Sequence, residues 1–225
     1  MSFFRVIRWV LRKDLASEIR SRENISSMFF FAFIVIMIFS FSFSMDQQGT
    51  REMMPGIIWV AFGFTGIIGL GKSFSVELQN DCLENLQISP IPKGAVYLGK
   101  LIANMIFILI AELVLFPLFV IFFNLDVLDK IHWVLLIFLL GTLGLSAVGT
   151  LFSAMTVQIR AREVMLPILL LPMAVPVMIG AVEATRGALN GDPWALYGHW
   201  VELLIVFDLI FTIVCFWAFE WILES

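Results

Sequence analysis

The sequence predicts an all-α membrane protein with six transmembrane helices, an N-terminal amphipathic interfacial helix and a short cytoplasmic helix between spans two and three. Three observations predict this class. The chain of 225 residues is 60% hydrophobic, with a mean hydropathy of +0.98, which exceeds the apolar share of ordinary soluble domains. Its charged residues are 14% of the total and fall in clusters. The apolar runs between the clusters reach the roughly 20 residues that a helix needs to cross a bilayer.

Residues 1–24 have the pattern of an amphipathic helix, with an apolar stripe and basic residues on other faces. Such a helix lies in the headgroup layer with its basic side towards lipid phosphates. The alternative is a soluble helix packed on a partner. The apolar stripe is Phe4, Ile7, Leu11, Leu15 and Ile19, and the basic residues are Arg5, Arg8, Arg12 and Lys13.

Six apolar runs predict the spans of a single transmembrane domain, 1–225. The first run is longer than the hydrophobic region of a typical secretory signal and has no small-residue cleavage site after it, so it is interpreted as a retained span. Cys82 and Cys215 fall in different regions and predict neither a disulfide nor a zinc site. The spans are predicted at about 25–45, 53–71, 101–124, 131–159, 164–182 and 201–222, with loops at 72–100 and 183–200.

Small residues in two of these spans favour close helix packing. Span two has Ala61, Thr65 and Gly69 at four-residue spacing. Span four has a small and polar stripe, formed by Thr142, Ser146, Gly149, Thr150 and Ser153.

Basic residues predict the orientation, because cytoplasmic loops carry an excess of Lys and Arg. The N-terminus, the 72–100 loop and the turn at 160–163 hold 6 + 3 + 2 = 11 basic residues, whereas the alternate loops hold three, Arg51, Lys130 and Arg186. Both termini and the 72–100 loop are therefore predicted to be cytoplasmic.

The 72–100 loop contains a short amphipathic helix of its own. Glu77, Asp81 and Glu84 share one side, and the other side carries Leu78, Cys82, Leu83 and Leu86. The run Ser89-Pro90-Ile91-Pro92 ends the helix, because proline lacks an N–H and clashes with the preceding turn. A helix of this kind between two spans is suited to present a lever to a partner at the membrane surface.

The run from Gly66 to Ser73 fits the nucleotide-binding pattern GxxxxGK[ST]. That chemistry needs a strand before the loop, a helix after it and an aspartate for magnesium on a neighbouring strand. Here the pattern is the end of a membrane span. Helix packing accounts for its glycines, and Lys72 is expected to reach the headgroups.

Two acidic residues, Glu112 and Asp208, fall near the middle of spans three and six. A charge there costs about 2.5–3.5 kcal/mol on insertion scales, so such groups face a bundle interior or a wet cavity. Two interpretations stay open: a polar patch on a substrate path or subunit interface, and a protonated carboxyl hydrogen-bonded to a Ser or Thr of span four. Paired acids of an intramembrane enzyme would need a nucleophile or metal motif, and the sequence has none.

His132 and His199, each followed by a tryptophan, are predicted at the outer boundary. They are typical of interfacial anchoring, although outward histidines could also ligate haem iron. Span five contains Pro167, Pro172 and Pro176, which predict a kink.

Several motifs resemble the haem exporter protein B (CcmB) family. Span two opens with Pro55-Gly56-(x)2-Trp59, and the polar loop has Glu77-(x)3-Asp81-Cys82-Leu83-Glu84-(x)-Leu86-(x)2-Ser89-Pro90, followed by Lys100. Span five has Arg162-Glu163-(x)2-Leu166-Pro167-Ile168-Leu169-(x)2-Pro172-(x)3-Pro176. The resemblance covers essentially the whole chain.

The resemblance implies the non-catalytic permease subunit of an ABC transporter in cytochrome c biogenesis. It implies a CcmA-like ATPase that uses the ATP, CcmC-like and CcmD-like membrane partners, surrounding lipid, and no nucleic acid. Haem would be the cargo or be released on a loaded chaperone, with no cofactor or metal bound directly. The alternative is an exporter permease of the same architecture for a lipid or drug. The coupling helix would contact the ATPase through Glu77, Asp81, Leu83, Glu84, Leu86, Ser89 and Pro90.

Overall fold

The computed structural model describes residues 2–21, 23–42, 47–74, 77–78, 91–125, 127–159 and 161–224. Within these ranges the fold is helical, as the sequence predicts. A 3-10 turn, Leu128–Lys130, precedes α5. The helices are α1 (Phe3–Ser21), α2 (Glu23–Ser42), α3 (Gln47–Gly71), α4 (Lys93–Phe123), α5 (Ile131–Thr156), α6 (Arg162–Asn190) and α7 (Trp194–Glu224).

Helix α5 is the centre of the bundle and packs against α3, α4, α6 and α7. Its small residues make this possible. Gly141 lies under the indole of Trp59, and a Cβ on Gly144 would come within 2.7 Å of Asp208 Oδ1. The small and polar stripe predicted for span four is buried throughout. Substituting either glycine would push a neighbouring helix away from the core.

Helix α1 packs mainly on α4, along a face that contains Val6 and Val10. Gly99 of α4 permits the close approach, because a Cβ there would lie 2.8 Å from Val10 Cβ. Of the predicted apolar stripe, Ile7 packs against the core, whereas Phe4 does not. Phe4 is 81% exposed and Trp9 is 67% exposed, so the helix turns a second apolar surface outwards.

Five of the described helical segments are long and apolar enough to cross a membrane: Glu52–Gly71, Lys93–Phe123, Ile131–Thr156, Arg162–Asn190 and Trp194–Ile222. They correspond to predicted spans two to six. Predicted span one, 25–45, is represented by the shorter apolar helix Ser26–Ser42. Length and composition therefore support five of the six predicted spans, and the segment described at the first one, Ser26–Ser42, is shorter than these five.

The predicted loop at 183–200 is wrong. Helix α6 continues to Asn190 and α7 begins at Trp194, so a turn of three residues replaces the loop. Gly187 does not break α6, because it provides room for Tyr197 of α7, whose Cβ would lie 2.5 Å from an added Cβ. Gly191, with φ of +76°, is the residue that ends the helix.

The predicted loop at 72–100 is also too long, since α4 already begins at Lys93, directly after Pro92. Proline suits a helix start because it needs no hydrogen-bond acceptor there. Pro167, Pro172 and Pro176 lie inside α6, which is one continuous helix from Arg162 to Asn190. The kink predicted from them stays a prediction.

Candidate functional site

The predicted coupling helix falls mostly outside the described residues. Glu77 is described, together with Leu78, whose N–H donates to the carbonyl of Phe74 at 3.1 Å. The structure thus describes how the two ends of the loop attach to the bundle, at the end predicted to be cytoplasmic. The remaining predicted contact residues lie outside the described ranges: Asp81, Leu83, Glu84, Leu86, Ser89 and Pro90.

Four charged side chains meet at this end and are called here the ion cluster: Lys13 and Asp14 of α1, Glu77, and Lys100 of α4. Lys100 Nζ lies 2.6 Å from Glu77 Oε1 and 3.1 Å from Asp14 Oδ2. Lys13 Nζ lies 3.1 Å from Asp14 Oδ1 and also pairs with Glu77. The cluster therefore ties α1, the start of the loop and α4 together.

Lys100 is the centre of the cluster and is only 1% exposed. Its ammonium donates to the carbonyl of Ser73 at 2.6 Å and lies 4.5 Å from the ring centroid of Phe74. Two carboxylates, a carbonyl and an aromatic face thus replace the water that a buried ammonium loses. A buried lysine of this kind holds the chain around it in one arrangement.

The ion cluster shifts the pKa of two of its members in opposite directions. Burial alone would raise the pKa of Glu77, but the ammonium groups of Lys100 and Lys13 outweigh it and hold that pKa below 4.5. Burial alone would lower the pKa of Lys13, but Asp14 and Glu77 outweigh it and raise that pKa above 10.5. Both groups are consequently charged at neutral pH.

Aromatic packing fixes the same segment from the other side. Phe74 is buried against Phe219 of α7, with ring centroids 6.2 Å apart, and Phe219 in turn contacts Tyr97 of α4 at 5.4 Å. The end of α3 is joined to α5 by Ser153, whose hydroxyl donates to the carbonyl of Leu70 at 2.6 Å. A displacement of residues 70–78 would thus be felt by α1, α4, α5 and α7.

Sequence reasoning missed Lys13 and Asp14. Lys13 was expected to face lipid phosphates, but it pairs with Glu77. The available signal was Asp14, the first acidic residue of a helix whose other early charges are basic. An acid on the buried side of such a helix needs a basic partner, and Asp14 has two, Lys13 and Lys100.

The two acids near mid-membrane have different surroundings. Glu112 is 1% exposed and accepts hydrogen bonds from the hydroxyl of Thr142, at 2.7 and 2.8 Å to its two oxygens. This contact agrees with the interpretation in which a hydroxyl of span four forms a hydrogen bond with the carboxyl group. Asp208 is 4% exposed, and among the described residues neither of its carboxyl oxygens has a hydrogen-bond partner.

Glu112 and Asp208 do not form an acid pair. Glu112 contacts α5 at Thr142 and Asp208 contacts it at Gly144, two residues further on. Two residues of an α-helix lie about 200° apart around its axis, so the acids approach α5 from opposite sides. The geometry of paired acids that an intramembrane hydrolase would need is not formed.

The histidines and the glycines of the nucleotide-like pattern lie in different surroundings. His132 and His199 are exposed and lie against Trp133 and Trp200, with ring centroids 5.4 and 4.8 Å apart. In the described ranges no group of three His, Cys, Asp or Glu residues could hold a metal ion. Gly66 and Gly69 lie within α3, packed against Leu145 and Met28, rather than in a phosphate-binding loop.

This helical bundle with its long apolar helices defines a multi-pass membrane protein. Residues 5–224 match the family described as CcmB protein, and the chain belongs to that family. The resemblance noted from the sequence motifs is thereby confirmed.

Curated relatives are similar over most of their length. Heme exporter protein B of Escherichia coli strain K12 is 34% identical over 192 residues, 84% of this chain and 83% of the relative. Heme exporter protein B of Pseudomonas aeruginosa is 30% identical over 167 residues, 74% of each chain. That of Haemophilus influenzae is 27% identical over 180 residues, 80% of each chain.

Proposed function

We propose that this chain is the permease subunit of an ATP-binding-cassette transporter that serves cytochrome c biogenesis. The observation that carries the proposal is the family match over residues 5–224, together with relatives named Heme exporter protein B. In this proposal a separate CcmA-like subunit hydrolyses the ATP. Haem, or a haem-loaded chaperone that is released, is the cargo, and CcmC-like and CcmD-like membrane proteins complete the complex in the bacterial inner membrane.

The ion cluster gives this proposal a mechanical path. ATP-driven closure of the ATPase would push on the predicted coupling helix, whose contact residues are Glu77, Asp81, Leu83, Glu84, Leu86, Ser89 and Pro90. Glu77 is bonded to Lys13 of α1 and Lys100 of α4, so a push at the loop reaches both helices directly. The bond between Ser153 and Leu70 carries the displacement into α5.

The coupling step is tested with a double substitution, Glu84→Lys with Leu86→Asp, in the purified complex with the ATPase. We expect loss of permease-stimulated ATP hydrolysis, because losing a buried interface anchor costs about 2 kcal/mol or more, roughly thirtyfold in affinity. The matched control is Leu196→Asp, an exposed position at the opposite end of the bundle. Full cytochrome c assembly by the double variant would show that the loop is not the coupling element.

The orientation is tested with a membrane-impermeant thiol reagent on intact cells. The other cysteine, Cys215, is buried, so labelling reports on Cys82. We expect labelling only after the cells are broken open. Labelling from outside would place the loop on the wrong side for an ATPase.

A further inference from the structure

The glycines of α3 differ in what surrounds them. A Cβ on Gly63 would lie 2.9 Å from Met178 Cε of α6, and one on Gly66 would lie 2.6 Å from Leu145 of α5. A Cβ on Gly56, in contrast, would meet no atom of the described residues within 4 Å. Close packing therefore explains Gly63 and Gly66 but not Gly56, although Gly56 belongs to the motif that opens span two.

Gly56 lies where α3 and α6 separate. The two helices are joined deeper in the bundle, where Trp59 Nε1 donates to Thr185 Oγ1 at 2.9 Å and Gly63 contacts Met178. Beyond these contacts, towards the end predicted to face outwards, a groove opens beside α2. Its volume is about 730 Å³, and its lining includes Phe39, Glu52, Met53, Gly56, Ile57, Val60, Arg186 and Asn190.

The groove has an apolar part and a polar part, as a membrane amphiphile does. Met53, Gly56, Ile57 and Val60 form one face of α3 and extend about 10 Å along it, within the roughly 15 Å of one hydrocarbon leaflet. Glu52 and Asn190 lie at the outer end of the groove, because Glu52 is near the start of α3 and Asn190 is the last residue of α6; Arg186 lies about one turn before Asn190. A volume of this size is in the range of small-molecule sites.

The charges at this polar end are of both signs. Arg186 Nη1 donates to Glu183 at 2.6 and 2.8 Å, and the guanidinium has further N–H groups for another acceptor. Glu52 is exposed on the groove, and its carboxylate can accept hydrogen bonds or pair with a cation, but it has no hydrogen to donate. A head group with both a phosphate and an ammonium satisfies this pair, whereas a purely anionic amphiphile would face the carboxylates of Glu52 and Glu183.

We propose that this groove binds one phospholipid with a zwitterionic, ammonium-bearing head group. Arg186 donates to the phosphate, Glu52 accepts from the ammonium, and an acyl chain lies over Gly56 along Ile57 and Val60. Helix α2 packs on α3 and α4, so the lipid fills the space between α2 and α6. This site is independent of the cargo that the permease handles.

The experiment is native mass spectrometry of the protein released from nanodiscs of equal phosphatidylethanolamine and phosphatidylglycerol. We expect the wild-type chain to retain one phosphatidylethanolamine preferentially. Gly56→Leu fills the floor of the groove and should reduce this occupancy about tenfold, which corresponds to losing one good apolar contact surface. Gly56→Ala is the matched control, with wild-type occupancy expected, and thermal unfolding checks that both variants fold.

Two substitutions at residues that would contact the head group separate the sources of the preference for one lipid. Glu52→Gln should remove the preference for the ethanolamine lipid, whereas Arg186→Gln should weaken retention of both lipids about tenfold. Equal retention of phosphatidylglycerol by the wild type would overturn the proposal. So would unchanged lipid retention by a folded Gly56→Leu variant, or displacement of the lipid by an equimolar anionic porphyrin.

Discussion

Lys100 and Asp208 are both almost completely buried, but their surroundings are opposite. Lys100 contacts two carboxylates, a carbonyl and an aromatic ring, so its charge is compensated on every side. Asp208 packs against Gly144, and no described residue donates to or accepts from its carboxyl. The first environment suits a permanent charge, whereas the second suits a neutral acid.

The contrast between Lys100 and Asp208 shows where the chain places charged groups and where it does not. Charge is used at the predicted cytoplasmic end, where a motor would push and where ionic contacts join three elements. In the membrane interior the polar contacts are single hydrogen bonds, such as that of Glu112 with Thr142. The ion cluster should therefore respond to substitution and pH much more strongly than the buried carboxyls.

The largest effect is expected for Lys100→Met. Removing one partner of a buried ionic group leaves Glu77 and Asp14 without their main cation, which costs about 3–5 kcal/mol of unfolding free energy. Denaturant unfolding in micelles measures it. The exposed Arg8→Met is the control and should change stability by no more than about 0.5 kcal/mol. A loss of less than about 1 kcal/mol in Lys100→Met would show that the cluster does not hold the elements together.

A smaller effect is expected from acid. The pKa of Glu77 is lowered in the folded chain, so its contribution is present above its ordinary value of 4.5 and is lost as the pH falls through the folded-state pKa. Lys13 behaves oppositely, and its contribution is lost only as the pH rises above 10.5 through its raised pKa. The loss is smaller than for Lys100→Met because Lys100 keeps its hydrogen bond to the carbonyl of Ser73. The free energy of unfolding, measured from pH 3 to pH 7 (about four units), gives this loss. Glu77→Gln should make that free energy depend less on pH.

The hydrogen bond of Glu112 comes next. A double-mutant cycle of Glu112→Leu and Thr142→Val should give a coupling energy of about 0.6–1.7 kcal/mol, the range of interhelical hydrogen bonds in membranes. The readout is the free energy of unfolding in micelles. A coupling energy near zero would mean that Thr142 does not hold Glu112.

The smallest effect is expected for Asp208→Asn. A neutral acid without a partner loses little on amidation, so the stability should change by less than about 0.6 kcal/mol, the average value for such bonds. The same unfolding assay checks it. A destabilisation comparable with that of Lys100→Met would reveal a charged Asp208 and erase the contrast between the two regions.

The sequence predicts most of the helices for local reasons, and a hydroxyl of span four as the partner of Glu112 is one of the two interpretations that it leaves open. Apolar runs fix where α3 to α7 lie, and the hydroxyls of span four at four-residue spacing place a donor such as Thr142 on one buried face. The loop predicted at 183–200 is wrong because of one glycine. Gly187 looks like a helix breaker, but its missing side chain is a packing feature that depends on Tyr197.

The ion cluster could not be predicted, because it depends on residues far apart in the chain. Lys13 and Glu77 are separated by 64 positions, and no periodicity connects them. Helical spacing assigned Lys13 to the side that faces lipid. Spacing shows which residues share a face of one helix, but it does not show which other helix packs against that face. The sequence pattern did not show the role of Gly99, whose lack of a side chain lets α1 lie directly on α4.

The central position of α5 also has a consequence for biosynthesis. Chains emerge from the ribosome N-terminus first, so α5 emerges before α6 and α7. Its side at Gly144, which later receives Val177 and Phe207, then borders on acyl chains. The last two helices must displace those lipids before the core exists, so a nascent chain cut before α7 would lack its finished interior.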